Sequence, residues 1–344
     1  MRVGIVGFAS SGKSTLFQLL TGAKPDHAAA HSGQLGVAEI PDPRLDVLTK
    51  MYEPAKVTPA TLELVDTPGL DPRGGGDNPQ VLGLMRAADA LLIVLGQYLG
   101  GNPADELARL VDELVFADLT IVTGRIEKLE ATLKKPRPEK EREAATEELA
   151  ALRAIAAKLE AGGRTQHWTE NERSAFRAYQ LFLQKPRFVV TNLAEDAVAS
   201  AVSLGDAGQG VESLALCASL ELEIAQLADE DRQAFMADLG LESLSRGPLL
   251  AALTRGTMGQ ITFFTAGPKE VRGWPLTGGA TAVDAAGKIH TDLARGFIRA
   301  EVIHYDDLVR CGSEREAKKH GLYRLEGKEY IVKDGDVIVI RFSV

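Results

Sequence analysis

The chain has only two cysteines in 344 residues, Cys217 and Cys311, and neither has a Cys or His neighbour at metal-ligand spacing. A disulfide framework and a zinc site are therefore excluded, and reduced thiols are the expectation. No apolar run approaches the about 18 residues of a membrane span, and no secretory leader pattern opens the chain. A cytoplasmic protein with no membrane segment is expected. Excess positive charge is also missing: 39 Lys and Arg against 48 Asp and Glu give a net charge of −9. A generic nucleic-acid coat needs phosphate neutralisation by Lys and Arg, so that class is excluded. From Thr257 onward 13 basic residues face 12 acidic ones, which leaves −10 on the first 256. Any surface that meets RNA is expected in the C-terminal part. Internal repeats and low-complexity tracts are absent.

Gly7-Phe8-Ala9-Ser10-Ser11-Gly12-Lys13-Ser14 follows the apolar run Val3 to Val6 and precedes Thr15-Leu16-Phe17-Gln18-Leu19-Leu20, which has helical spacing. A strand feeding a Gly-flanked turn into a helix N-terminus aims successive backbone N–H groups, and the positive helix end, at one point suited to a polyphosphate. This P-loop predicts binding of a nucleoside triphosphate. Gly7 and Gly12 let the backbone curl without a Cβ clash, Lys13 reaches the outer phosphates, and the Ser14 hydroxyl ligates Mg²⁺. Phe8, Ala9, Ser10, Ser11 and Thr15 complete the expected phosphate contacts, and Lys13 is the expected catalytic residue.

At 344 residues the chain is long for one core, so two or three domains are expected. Residues 1 to about 100 alternate strands and helices, with buried-type runs at Val3–Val6, Leu62–Val65 and Leu91–Leu95. They predict an α/β fold, a mostly parallel sheet with helices on both faces. From Leu107 apolar residues recur at spacings of three to five through Leu133, predicting a long amphipathic helix that Lys135-Pro136-Arg137-Pro138 stops. A second charged helix runs to Gly162-Gly163, which makes an antiparallel hairpin, and Thr169 with Glu172 opens a further helix expected to reach Phe182. The charge of this hairpin fits either a solvated coiled coil or a partner-binding arm. Arg187 to Thr191 returns to strand chemistry, so the hairpin is an insertion within the sheet domain. Strands are also expected at Ile261–Thr265, Val271–Leu276, Tyr330–Val332 and Val337–Phe342. The predicted domains are 1–105 with 186–256 for nucleotide binding, 106–185 for the inserted helices, and 257–344 for a small mixed α+β domain.

Asp66 ends the strand-like Leu62-Glu63-Leu64-Val65 and precedes Thr67-Pro68-Gly69. Its carboxylate is expected to hold a Mg²⁺-bound water, and the Gly69 N–H to approach the γ-phosphate. Asn192-Leu193-Ala194-Glu195 follows the Val189–Thr191 strand, where G-type proteins carry a base-reading Asn-Lys-x-Asp. With Leu193 for Lys and Glu195 for Asp the paired acceptor for guanine is lost, and adenine becomes the favoured base. Cys217-Ala218-Ser219 loosely matches the Ser-Ala-Lys loop that closes over the base.

Together with these residues, Pro41-Asp42-Pro43-Arg44-Leu45-Asp46, Pro59-Ala60-Thr61, Phe264-Thr265-Ala266-Gly267, Ile289-His290-Thr291-Asp292 and Gly296-Phe297-Ile298-Arg299-Ala300-Glu301 resemble the Obg-like ATPase (YchF) family of TRAFAC P-loop proteins. The resemblance extends over essentially the whole chain. It implies a G domain, an inserted helical domain and a C-terminal TGS-like domain. It also implies preference for ATP over GTP, slow hydrolysis, and association with the ribosome through the TGS-like and helical domains. Two departures stand out. The family's loop usually reads Gly-x-Pro-Asn-Val-Gly-Lys-Ser, and where many relatives carry a Mg²⁺-covering switch-I Thr this chain has Ala28-Ala29-Ala30-His31-Ser32.

Leu70 occupies the position where Ras-like enzymes place a catalytic Gln, and an apolar side chain cannot orient water, so slow turnover is expected. His31 is a candidate to assist. Gly74-Gly75-Gly76 predicts a segment that γ-phosphate orders, together with residues near 28 to 40, in a switch. Two other readings stay open: a GTPase of the same fold, and a ribosome- or RNA-binding adaptor that holds nucleotide without turnover.

Overall fold

The computed structural model describes residues 1–26, 32–71, 78–162, 168–200, 205–206 and 211–343. Packing divides the chain into two compact units, Met1–Gly36 with Glu63–Ser245 and Val37–Leu62 with Arg246–Val344. In chain order the elements begin β1 (Arg2–Val6), α1 (Lys13–Thr21), β2 (Gln34–Ile40), α2 (Pro43–Tyr52), β3 (Val57–Thr58), β4 (Ala60–Asp66), α3 (Asn78–Arg86) and β5 (Ala90–Gly96). The helices α4 (Pro103–Leu133), α5 (Glu139–Glu160) and α6 (Glu170–Tyr179) come next, then β6 (Arg187–Asn192), β7 (Gly205–Asp206), β8 (Glu212–Leu216), α7 (Ala218–Gln226) and α8 (Asp229–Asp238).

The first sheet has seven strands in the order β2-β4-β1-β5-β6-β8-β7, and β1 pairs in parallel with both β4 and β5. The chain leaves β1 to one side and later returns on its other side, so the crevice at the C-terminal end of β1 is the switch point where α/β sheets bind ligands. β5 is buried at all seven residues, as a central parallel strand covered on both faces must be. Against this sheet pack Val6, Phe8, Leu70, Val81, Met85, Ile93, Leu110 and Leu114.

The predicted hairpin forms. α4 starts one turn before Leu107, because Asn102 accepts from the Ala104 N–H and Pro103 takes the first helical position. Leu129, Leu149, Leu152, Ile155, Leu159 and Phe176 fill the core between α4, α5 and α6. The Thr169–Glu172 capping box is present, but α6 ends at Tyr179, where Gln180 turns to φ +51°, so Phe182 lies outside the helix. Asp118, with no solvent exposure, explains the stop: it accepts from the Phe182 and Leu183 N–H groups and from Arg86.

The second unit carries α9 (Arg246–Ala251), β9 (Gln260–Ala266), β10 (Val271–Thr277), α10 (Ala282–Ile289), α11 (Thr291–Arg295), β11 (Phe297–His304), α12 (Tyr305–Cys311), α13 (Glu314–Lys319), β12 (Arg324–Glu326) and β13 (Asp336–Phe342). Its sheet runs β12-β11-β13-β9-β10-β3. Phe263 and Phe264, successive on β9, point to opposite faces and head two cores. The expected strand at Tyr330–Val332 is not one. Ile331 makes a single bridge to Thr281, while the Tyr330 hydroxyl donates to Asp336 and the Val332 N–H to Ala280 O, so the segment is held by isolated bonds and joins no ladder. α2 belongs to this unit: Leu45 and Leu48 pack under Phe264, and Arg44 donates to Asp334 at 2.8 Å.

Candidate nucleotide-binding site

β1 and α1 set the phosphate loop between them. An added Cβ at Gly7 would overlap the Val94 carbonyl, and one at Gly12, where φ is +94°, would overlap the Asn192 amide. α1 starts at Gly12 with no side-chain cap, so its first N–H groups remain as anion donors. Ser10 takes φ +61°, rare for a residue with a side chain, and the Tyr98 hydroxyl donates to its carbonyl.

Lys13 is 6% exposed and its Nζ donates to Phe8 O at 2.6 Å. Burial lowers its pKa to about 8, against the opposing pull of the Asp66 and Glu106 carboxylates. Ser14 Oγ donates to Asp66 Oδ2 at 2.6 Å. Burial pushes the Asp66 carboxyl up, while the Ser14 bond and the Lys13 charge pull it down. The second oxygen, Oδ1, is buried without a hydrogen-bond partner. An orphaned carboxylate oxygen beside a hydroxyl is a donor set a hard cation takes, so the pair fits Mg²⁺. Among the described residues no group of three His, Cys, Asp or Glu side chains could hold a metal by itself.

The segment after Asp66 is fastened to the loop. Ala9 N donates to Leu70 O at 3.2 Å and Leu70 N to Gly7 O at 3.1 Å, and a Cβ on Gly69 would lie 2.5 Å from the Ala9 Cα. Gly69 is thus backed onto the loop, as an N–H aimed at an outer phosphate requires. The Leu70 side chain turns the other way, into the core with Phe8 and Leu95.

At the base end Asn192 acts as a brace. Its Nδ2 donates to Ser11 O at 3.2 Å and its Oδ1 accepts from Ala218 N at 3.0 Å. Leu193 is buried and its N–H donates to Leu216 O, whereas Glu195 and Ser219 are exposed. A cleft of about 530 Å³ is lined by Gly12 and Thr15, by Tyr98, and by Asn192, Leu193, Glu195 and Ser219.

Most of the predicted residues therefore converge on one crevice. Phe8 and Cys217 do so only through their backbones, since both side chains are in apolar cores, with Cys217 Sγ 3.3 Å from Ser219 Oγ. Ser32 lies exposed in the turn before β2, and His31 and Gly74-Gly75-Gly76 fall outside the described residues. The sequence reading missed Tyr98 and Glu106. Glu106, in the first turn of α4, accepts from the Gly96 N–H at 3.0 Å, and burial pushes its carboxyl up against the pull of Gly96, Arg109 and Lys13. An acid in the first turn of a charged helix carries no signal that separates this role from an ordinary favourable charge on the helix dipole.

Residues 2–128 match the family described as 50S ribosome-binding GTPase, and residues 260–343 match the YchF GTPase C-terminal family, described as a protein of unknown function (DUF933). The chain is 37% identical to the ribosome-binding ATPase YchF of Haemophilus ducreyi, covering 100% of this chain and 99% of that protein. With the ribosome-binding ATPase YchF of Bacillus subtilis it shares 34% identity over the full length of both. The solved structure of the Schizosaccharomyces pombe YchF GTPase superposes with a TM-score of 0.84, at 24% identity, over 99% of this chain and 97% of that one. Identity above 30% along the whole length of such relatives assigns the family: the chain belongs to the YchF family of Obg-like P-loop ATPases.

Proposed function

We propose that this protein is a ribosome-binding ATPase that holds ATP with Mg²⁺ and hydrolyses it slowly in the cytoplasm. The observation that carries the reading is the convergence of Lys13, Ser14 and Asp66, with the orphaned Asp66 Oδ1, at the switch point of the sheet. Loop amides and Lys13 bind the outer phosphates, Ser14 and Asp66 hold the cation, and Gly69 presents its N–H to the γ-phosphate. When bound, Mg²⁺ neutralises charge on the outer phosphates. Leu70 is buried in the core and brings no polar group to the attacking water, which supports slow turnover. The buried Leu193 brings no ammonium to a base, and the exposed Glu195 carries its carboxylate one methylene further out than the guanine-reading Asp, which favours adenine, and Cys217, Ala218 and Ser219 close the base end.

The working domains are a nucleotide-binding domain of 1–105 with 186–256, of which residues 37–62 pack with the C-terminal unit, an inserted helical domain of 106–185 and a TGS-like domain of 257–344, the last two meeting the ribosome. Calorimetric titration with ATP, GTP and their diphosphates, with and without Mg²⁺, tests base, phosphate and metal dependence together. GTP binding more tightly than ATP would overturn the base assignment. Co-sedimentation of the full chain with ribosomes, with and without a non-hydrolysable ATP analogue, tests the partner.

A further inference from the structure

The base of the helical hairpin forms part of the phosphate loop's surroundings. Glu106, one turn into α4, accepts from the Gly96 N–H at 3.0 Å. Gly96 is the last residue of β5, and it packs so closely under the loop that a Cβ there would lie 3.1 Å from the Ser11 Cα. One turn further on, Arg109 sits over the Phe8 ring at 5.8 Å, and the Phe8 carbonyl is the acceptor of Lys13 Nζ. The half-buried Glu106 carboxylate lies within Coulomb range of Lys13, Arg109 and Tyr98. Helical stability does not require any of this: Asn102 already caps α4, and Asp105 already supplies a first-turn acid.

We propose that Glu106 is a positioning residue of the nucleotide site, which clamps the end of β5 beneath the phosphate loop and places a negative charge beside the Lys13 ammonium, opposing triphosphate more than diphosphate. This rests on the reading that the loop binds a nucleoside triphosphate. Two effects are separable in one side chain. The hydrogen bond to Gly96 orders the loop and favours any nucleotide. The charge competes with the outer phosphates for Lys13, so its cost grows with the number of phosphates. The 31-residue α4 that carries Glu106 is also the first arm of the hairpin.

The test compares the full chain with E106Q and E106A at pH 7 in Mg²⁺ buffer, by calorimetric titration with a non-hydrolysable ATP analogue and with ADP, alongside hydrogen exchange at Gly96. E106Q keeps an acceptor for Gly96 and loses the charge. It is expected to bind the triphosphate analogue about fivefold tighter and ADP less than about twofold tighter, with Gly96 exchange unchanged. E106A is expected to speed Gly96 exchange and to weaken both ligands. If E106Q binds both ligands as the wild type does, or changes both by the same factor, Glu106 is only a structural residue and the proposal falls. If the wild type binds neither ligand, the failure belongs to the nucleotide reading itself.

Discussion

A methyl group at Gly12 would overlap the amide of Asn192, so the phosphate loop and the end of β6 meet with no spare volume. Asn192 also fills both of its hydrogen-bonding roles, to Ser11 O and from Ala218 N. Asn192→Ala leaves two buried backbone groups unpaired, at about 1–3 kcal/mol each. The expected outcome is a loss of ATP affinity of at least about tenfold, read by calorimetry, since 1.4 kcal/mol is a factor of ten. Gly12→Ala is expected to abolish binding, because φ +94° and the overlap act together.

The orphaned Asp66 Oδ1 makes a second prediction. In the wild type, chelating Mg²⁺ is expected to weaken ATP binding. In Asp66→Asn, which keeps an acceptor for the Ser14 hydroxyl while removing the charge that attracts the cation, titrations with and without Mg²⁺ are expected to superimpose. A full metal response in that variant would mean the cation is held elsewhere.

The phosphate loop, Asp66 and Asn192 were legible because each follows a short buried strand at a spacing that has a mechanism, and local sequence decides all three. Glu106 and Tyr98 were not, since their roles come from which loop lies across from them. The same holds for α2. Asp42, Pro43 and Arg44 read locally as an N-capped helix, which they form, yet Arg44 pairs with Asp334, 290 positions away. No local pattern reports a partner at that distance. At Tyr330–Val332 the β-prone composition predicts a strand that does not form, because the Asp336 carboxylate takes both the Tyr330 hydroxyl and the Lys333 N–H.

In the hairpin core, Lys158 Nζ donates to both Glu172 oxygens, at 2.7 and 2.8 Å. Burial pushes the Glu172 carboxyl up, and the bonds from Lys158 and Thr169 outweigh it and hold the group below its ordinary value. The folded state therefore binds this proton less readily than the unfolded chain. The stabilisation is complete above the unfolded carboxylate range and is lost as pH falls through the lower folded value. Lys158→Met is expected to destabilise the chain by about 3 kcal/mol near neutral pH and to shrink the loss of Tm on acidification. A thermal melt series from pH 7 to pH 3 measures both.

Leu70 stands where a water-orienting Gln is found in Ras-like enzymes, but its side chain is 1% exposed and packs with Phe8 and Leu95. Restoring the polar residue is therefore expected not to restore fast hydrolysis. Leu70→Gln buries an amide among apolar groups and should cost about 1–3 kcal/mol of stability, seen as a lowered urea midpoint, with single-turnover hydrolysis no faster than in the wild type. An increase in that rate would mean the segment can turn its side chain out toward the γ-phosphate.

The proposed base choice rests on Leu193 and Glu195, and the double variant Leu193→Lys with Glu195→Asp tests it directly. The Leu193 backbone is fixed by its N–H bond to Leu216 O, so a lysine there starts from the same Cα and has a stem long enough to lie along a purine ring. Glu195 is exposed at the rim of the cleft, and the shorter aspartate draws the carboxylate back toward the base edge, where it can accept from two guanine donors at once. A site that pairs both donors rejects a base lacking them far more strongly than an apolar pocket can. The expected result is a gain in GTP affinity of at least about tenfold and a loss for ATP, with Mg²⁺ dependence unchanged because Ser14 and Asp66 are untouched. If the double variant still prefers ATP by the wild-type margin, the choice is made elsewhere in the cleft, whose lining also includes Ser219 and Tyr98.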